Sequence, residues 1–164
     1  MMRQVFRLAA LAFLGAGLMC GAPAAAQAPT PVERELEATF RRLEEIIESG
    51  APADVLTREM YTTDTVVTGY GVDAPRVGIA AEERAIAGFL DSLAAPGQRR
   101  CRFAVFGPVS ASEGVIAAFT NLTCRGRGAT SPEPDQKYHV LYVFRKTTAG
   151  WRVSLEMFGG GLLR

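Results

Sequence analysis

The 164-residue chain carries 18 basic side chains, 17 acidic side chains and one histidine, for a formal charge of +1. That balance excludes a charge-driven nucleic-acid binder, and the length fits one domain with a sizeable core. The three cysteines and the single histidine show no metal-ligand spacing, so no metal site is expected.

Met1–Arg7 holds two arginines and no acid, Leu8–Cys20 is an apolar run, and Ala24 and Ala26 are small residues placed for cleavage. That order reads as a secretory signal peptide over residues 1–26. The apolar run is short for a bilayer span, which counts against the alternative reading, a retained membrane anchor. Met19 stands where a lipoprotein signal needs a small residue before Cys20. A single domain over residues 27–164 remains, 138 residues long (164 − 26), with 16 basic and 17 acidic side chains once Arg3 and Arg7 are gone. The expected location is exported, periplasmic or secreted. Cys101 and Cys124 are the cysteines of that domain, and an oxidising compartment makes them a disulfide candidate, with two reduced buried thiols as the alternative.

Thr30-Pro31-Val32-Glu33 has the residue types of a helix start: a cap, a first-turn proline and an acid that bonds back. Val32, Leu36, Phe40, Leu43 and Ile47 recur at three- and four-residue spacing and form one apolar stripe, and Gly50 ends the helix. Pro52 starts a shorter helix through Met60. Val66–Tyr70 reads as a strand, and Val72–Arg76 as a turn-rich connection. A third helix spans Ala80–Leu93, stopped by Pro96-Gly97.

From Arg100 onward the pattern is β. Arg100–Gly107 and Val115–Arg125 flank a loop, Gly126–Gln136 is a polar loop, and Lys137–Arg145 pairs with Trp151–Phe158. The cluster Arg99, Arg100 and Arg102 reads as a solvated strand entry. If Cys101 pairs with Cys124, Phe103 meets Leu122, Val105 meets Thr120, and the turn centres on Ser112-Glu113. In the last hairpin a five-residue loop sets Arg145 opposite Trp151. His139, Leu141, Val143, Trp151, Val153, Leu155 and Met157 then face the core. Tyr138, Val140, Tyr142, Phe144, Arg152, Ser154, Glu156 and Phe158 face outward as an aromatic face suited to a homodimer.

The order of elements is α+β. Three pieces (MYTTDTVVTGYG from Met60, Gly78 before IAAEERAIAGFL, and KYHVLYVFRKTTAGWRVSLEMF from Lys137) resemble the nuclear transport factor two-like superfamily, in its SnoaL-like or kinase-association-domain-like branch. The resemblance covers about Pro31–Phe158. It implies a cone-shaped, cystatin-like α+β barrel, with three helices packed in a strongly curved antiparallel sheet around a pocket. Such proteins are commonly dimers. The superfamily holds isomerases, cyclases, dehydratases and non-catalytic modules, so the fold does not choose a reaction.

Three groups are candidate acids or bases. Asp64 sits where helix gives way to strand, where Asp serves turns, with a general base as the functional alternative. His139 is the one residue whose ordinary pKa suits proton shuttling near neutrality. Glu156 lies in the last strand, where some SnoaL-like cyclases carry an acid, although the register above turns it outward. Tyr61, Tyr70, Phe89, His139 and Trp151 are the expected pocket lining. No glycine-rich phosphate loop and no GxSxG elbow occurs, and Asn121-Leu122-Thr123 matches a glycosylation sequon by chance. The expected function is binding of a small hydrophobic molecule, without a cofactor, in an exported dimer. The alternative is a cofactor-free acid–base enzyme (isomerase, cyclase or dehydratase) acting on a ketone-like or polyketide-like substrate.

Overall fold

The computed structural model describes residues 28–106, 109–128, 134 and 136–164, so the signal-peptide segment 1–26 and most of the loop 126–136 lie outside the described residues. The elements in chain order are α1 (Pro31–Ser49), α2 (Ala53–Met60), β1 (Tyr61–Gly69), β2 (Arg76–Val77), α3 (Ile79–Ser92), β3 (Cys101–Val105), β4 (Ser110–Ser112), β5 (Val115–Cys124), β6 (Gln136–Thr147) and β7 (Gly150–Gly160). Among the described residues no helix is long and apolar enough to cross a membrane.

Helix α1 begins with the capping box its sequence predicts. Glu33 N donates to Thr30 Oγ1 at 3.2 Å, and Thr30 N donates to Glu33 Oε2 at 2.6 Å. Leu36, Phe40, Leu43, Ile46 and Ile47 are its buried stripe. Gly50 closes it at φ 77°, a left-handed conformation, and a Cβ there would also stand 2.7 Å from Pro96 Cβ. Helix α2 runs directly into β1 at Tyr61, five residues before the strand expected from β-branched residues alone.

The strands form one seven-stranded sheet in the order β2-β1-β7-β6-β5-β3, with β4 also on β5. The sheet is open and mixed: β1 runs parallel to β7, and the other pairs are antiparallel. The core lies between the inner sheet face and the helices, with α1 against β3, α2 against β7 and α3 against β1. Phe40 stacks on Phe103 at 5.0 Å and meets Phe144 edge-on at 5.7 Å.

Cys101 and Cys124 are directly opposite on β3 and β5 and form a disulfide with both residues buried. Phe103 faces Leu122 and Val105 faces Thr120, as the pairing predicts. Beyond Val105 the register changes, because Ser112 pairs with Val115 and the turn falls at Glu113-Gly114. Strand β3 is a sheet edge, and α1 guards it: Glu44 Oε1 accepts from Phe103 N at 2.8 Å. The sequon asparagine has a structural task. Asn121 Oδ1 accepts from Leu163 N at 2.8 Å and Nδ2 donates to Leu163 O at 3.3 Å, which pins the C-terminal tail.

The last hairpin differs from its sequence expectation. Thr147 pairs with Gly150, leaving Thr148-Ala149 as a tight turn in place of a five-residue loop. A bulge then intervenes, since Phe144 pairs with Val153 while Val143 pairs with Leu155. The extra residue, Ser154, inverts the alternation along β7. Val140, Tyr142, Phe144, Trp151, Val153 and Glu156 are therefore the buried residues of this hairpin. The faces of β6 assigned from sequence are exchanged: His139, Leu141 and Val143 point outward, joined by Leu155 and Met157 of β7. Both faces are comparably apolar in sequence, so alternation alone did not choose between them. The larger aromatic pair Tyr142 and Phe144 buries more area against Phe40.

Candidate functional site

A pocket of about 270 Å³ opens between α3 and the inner face of the sheet. Ile47, Leu56, Ile86, Phe89, Phe103 and Leu122 supply much of its apolar wall. Its polar groups are Tyr61, Arg76, Glu82, Tyr142 and Glu156, with Tyr138 and Ser92 near them in the lining.

Sheet register explains how these groups converge. Val67 of β1 is opposite Arg76 of β2 on one side and Glu156 of β7 on the other, and Glu156 is opposite Tyr142 of β6. Arg76, Val67, Glu156 and Tyr142 thus form one row across four neighbouring strands, which stand about 4.8 Å apart. Val67, between the charged members of the row, is fully buried. Tyr61 comes to the row from the junction of α2 and β1, its Oη donating to Glu156 Oε2 at 2.5 Å.

Glu156 is 8% exposed. Burial pushes its carboxyl up to about 7, helped by the nearby Glu82 charge, while the Tyr61 hydrogen bond and the Arg76 charge pull it back. Burial also raises Tyr61 and Tyr142 well above the ordinary phenol value, with the Glu156 charge adding to both, so the two phenols stay protonated. Tyr142 Oη has no hydrogen-bond partner among the described residues and remains a free donor in the pocket. Glu82, in the first turn of α3, is almost fully buried and is gripped by Arg76 through two bonds, Nε to Oε2 at 2.8 Å and Nη2 to Oε1 at 3.2 Å. That fork raises Arg76 further above its ordinary value. The set can move a proton near neutral pH and can donate hydrogen bonds to an oxygen, in surroundings that are otherwise apolar.

The residues expected from sequence distribute as follows. Tyr61, Phe89 and Glu156 line the pocket. Tyr70 is 83% exposed on the turn after β1. Trp151 is buried at the far end of the sheet, where Nε1 donates to Glu35 Oε2 at 2.7 Å and Lys146 Nζ lies 4.7 Å from the ring. His139 stands on the outer face opposite Gly159, so close that a Cβ on Gly159 would come within 2.3 Å of its Nε2. Asp64 is exposed in the irregular part of β1 and pairs with Arg145; hydrogen bonds from Thr62 and Arg145 hold its carboxyl below the usual carboxylate range. Asp64, His139, Tyr70 and Trp151 are therefore outside the pocket. Arg76, Glu82 and Tyr142 were missed. Arg76 and Glu82 are six residues apart in sequence, and Gly78 turns the chain between them, so neither periodicity nor spacing marks the pair. Among the described residues no group of three His, Cys, Asp or Glu side chains is placed to hold a metal ion.

No family model matches the chain, and no curated protein matches it. Solved structures do. An NTF2-like protein with a cystatin-like fold from Novosphingobium aromaticivorans is 22% identical, with a TM-score of 0.60 over 77% of this chain and 80% of that one. A protein from the same organism assigned as a scytalone dehydratase is 14% identical, with a TM-score of 0.61 over 79% of this chain and 83% of that one. A protein of the NTF2-like family from Streptomyces avermitilis, assigned as a dehydratase, is 15% identical, with a TM-score of 0.58 over 79% of this chain and 96% of that one. The likeness reaches the fold and does not single out the SnoaL-like branch. The chain has the cystatin-like α+β fold of NTF2-like proteins, with three helices on one open mixed sheet, as the resemblance of its sequence implies.

Proposed function

We propose that this protein is a cofactor-free acid–base catalyst that moves a proton next to the carbonyl group of a small hydrophobic molecule, as in an isomerisation or a dehydration. The observation that carries the reading is the Tyr61–Glu156 hydrogen bond, 2.5 Å long, inside a largely apolar pocket. Glu156 is the base. A carboxyl with a pKa of about 7 is half ionised at neutrality and far more basic than an ordinary glutamate. Tyr61 holds Oε2, which leaves Oε1 for the substrate. Tyr142, across the strand pair, offers a neutral donor to the substrate oxygen. The apolar wall supplies affinity, roughly 25 cal/mol per Å² of ligand surface before binding costs. The two similar structures assigned as dehydratases support the same chemistry, since removal of a proton beside a carbonyl also begins many eliminations.

The test uses 2-tetralone, a bicyclic ketone with exchangeable hydrogens beside its carbonyl. Loss of its α-proton signal in heavy water, followed by NMR, should be accelerated by the protein and rise with pH to a plateau above about 7. Glu156→Gln should lower that rate by about a hundredfold or more. An unchanged rate in that variant removes Glu156 as the base.

A second reading, a non-catalytic binding or dimerisation module, draws on the outer sheet face. Phe119 and Met157 are each 49% exposed there, with Leu141 between them and the Val143–Leu155 pair in the next row. A second copy covering this face gives the homodimer, and the two readings are compatible. Export rests on residues 1–26 together with the Cys101–Cys124 disulfide, which suits an oxidising compartment.

A further inference from the structure

Arg76 and Glu82 enter the pocket as a pair that removal of a proton by Glu156 does not use. Arg76 comes from the sheet-edge strand β2, in one row with Val67 and Glu156, and the charges of Arg76 and Glu156 act on each other. Glu82 is 2% exposed. A carboxylate buried that far is costly unless paired, and its partner here is a fixed fork. The guanidinium is planar with donors in set directions. Bidentate pairing occupies Nε and Nη2. Nη1 has no partner among the described residues, and the Phe158 ring, itself pocket lining, lies 5.9 Å from Cζ. Glu82 therefore holds the plane of Arg76 while leaving one end of it open.

We propose that Arg76 is a catalytic residue of this pocket, its Nη1 receiving the carbonyl oxygen of the substrate and holding the enolate oxygen that forms, with Glu82 as the positioning residue that aims it. The inference rests on the proton-transfer reading of the same pocket. In that step the C–H bond beside the carbonyl breaks and its proton goes to Glu156. The C–H electron pair becomes a C=C bond, and the carbonyl π pair moves onto oxygen. One negative charge thus passes from Glu156 to the substrate oxygen. A phenol alone meets it with a neutral donor; a guanidinium meets it with a charge-assisted bond, roughly twice as strong. The pairing also narrows the substrate class. Glu82 already neutralises Arg76, so a permanently anionic acid would bring uncompensated charge beside Glu82 and Glu156. The fitting substrate is an uncharged hydrophobic ketone.

The test uses 4-nitrophenol, whose phenolate absorbs visible light and carries its charge on oxygen, with uncharged 4-nitrotoluene as the control. At about pH 6 Glu156 holds its proton, so bound phenolate reproduces the charge of the enolate state; the other titratable groups facing it are Glu82, Tyr61, Tyr142 and Tyr138. The protein should bind the phenolate about tenfold or more tightly than does the double variant R76M/E82M, which replaces the buried pair with apolar side chains of similar reach, and should bind nitrotoluene equally in both. Glu82→Asp keeps the negative charge but shortens the arm that holds the guanidinium, so phenolate binding should weaken severalfold, whereas a Glu82 that only balances charge would leave that affinity unchanged. Equal phenolate affinity in R76M/E82M, or unchanged phenolate affinity in E82D, overturns the assignment. Failure of tetralone exchange in the presence of a normal phenolate response would instead strike Glu156 as base, so the two failures are separable.

Discussion

Tyr61 Oη and Glu156 Oε2 are joined at 2.5 Å across 95 residues of chain, tying the end of α2 to the last strand. The bond opposes the burial that raises Glu156. Tyr61→Phe removes the donor and keeps the ring. The Glu156 pKa should then rise above about 7, and the inflection in tetralone exchange should move to higher pH by roughly one unit. At alkaline pH the variant should also lose about 1–3 kcal/mol of stability, because an ionised oxygen is left without its partner. An unshifted inflection would mean that the phenol does not control the base.

Glu156 also sets how stability depends on pH. Its folded-state pKa of about 7 lies above the ordinary 4.5, so between those values the folded chain keeps a proton that the unfolded chain releases. Stability is then fully present below about 4.5 and is lost as pH rises through about 7, a difference on the order of 3 kcal/mol. Chemical denaturation at several pH values should show this decline from about pH 5 to 8, and Glu156→Gln should flatten it. Equal slopes in the two proteins would contradict the burial argument.

The helices, the disulfide and the class of fold were legible in the sequence because each has a local signal. Thr30 and Glu33 announce α1, the Leu36–Ile47 stripe gives its buried face, and two cysteines at compatible strand positions give the bridge. The pocket was only half legible. Glu156 was noticed as an acid in the last strand, but its face depended on one bulged residue, Ser154, that nothing in the alternation marks. Tyr142 went to the wrong face for a separate reason: the two-residue turn sets Trp151 opposite Lys146 instead of Arg145, which exchanges the faces of β6. Arg76 and Glu82 depend on β2 pairing with β1 beside Glu156, a non-local fact. Asp64 and His139 drew attention through residue type, which reports chemistry and not direction.

Cys101–Cys124 closes a 23-residue separation and fastens edge strand β3 to β5. For a loop of this size the bridge should contribute about 3 kcal/mol by restricting the unfolded chain. Thiol titration of the unfolded, unreduced protein should find neither residue free. The double variant C101A/C124A should unfold at lower denaturant concentration by a corresponding amount. Two titratable thiols in protein purified from an oxidising compartment would refute the bridge.

The outer face makes the remaining prediction. Phe119 of β5 and Met157 of β7 flank Leu141 of β6, since Phe119 pairs with Leu141 and Leu141 with Met157. This is a contiguous apolar row on a surface otherwise free to be wet, and Phe119 and Met157 are each 49% exposed. Burying it against a second copy would give a stable pair at about 800 Å² per partner. Light scattering should report a dimer at micromolar concentration. Placing lysines on either side of Leu141, in F119K/M157K, should weaken association by more than about a hundredfold and leave far-UV circular dichroism unchanged. Neither side chain lines the pocket, so tetralone exchange per chain should persist in the monomeric variant. A wild-type monomer would remove the dimer, and loss of exchange on dissociation would show that the pocket needs its partner to keep its shape.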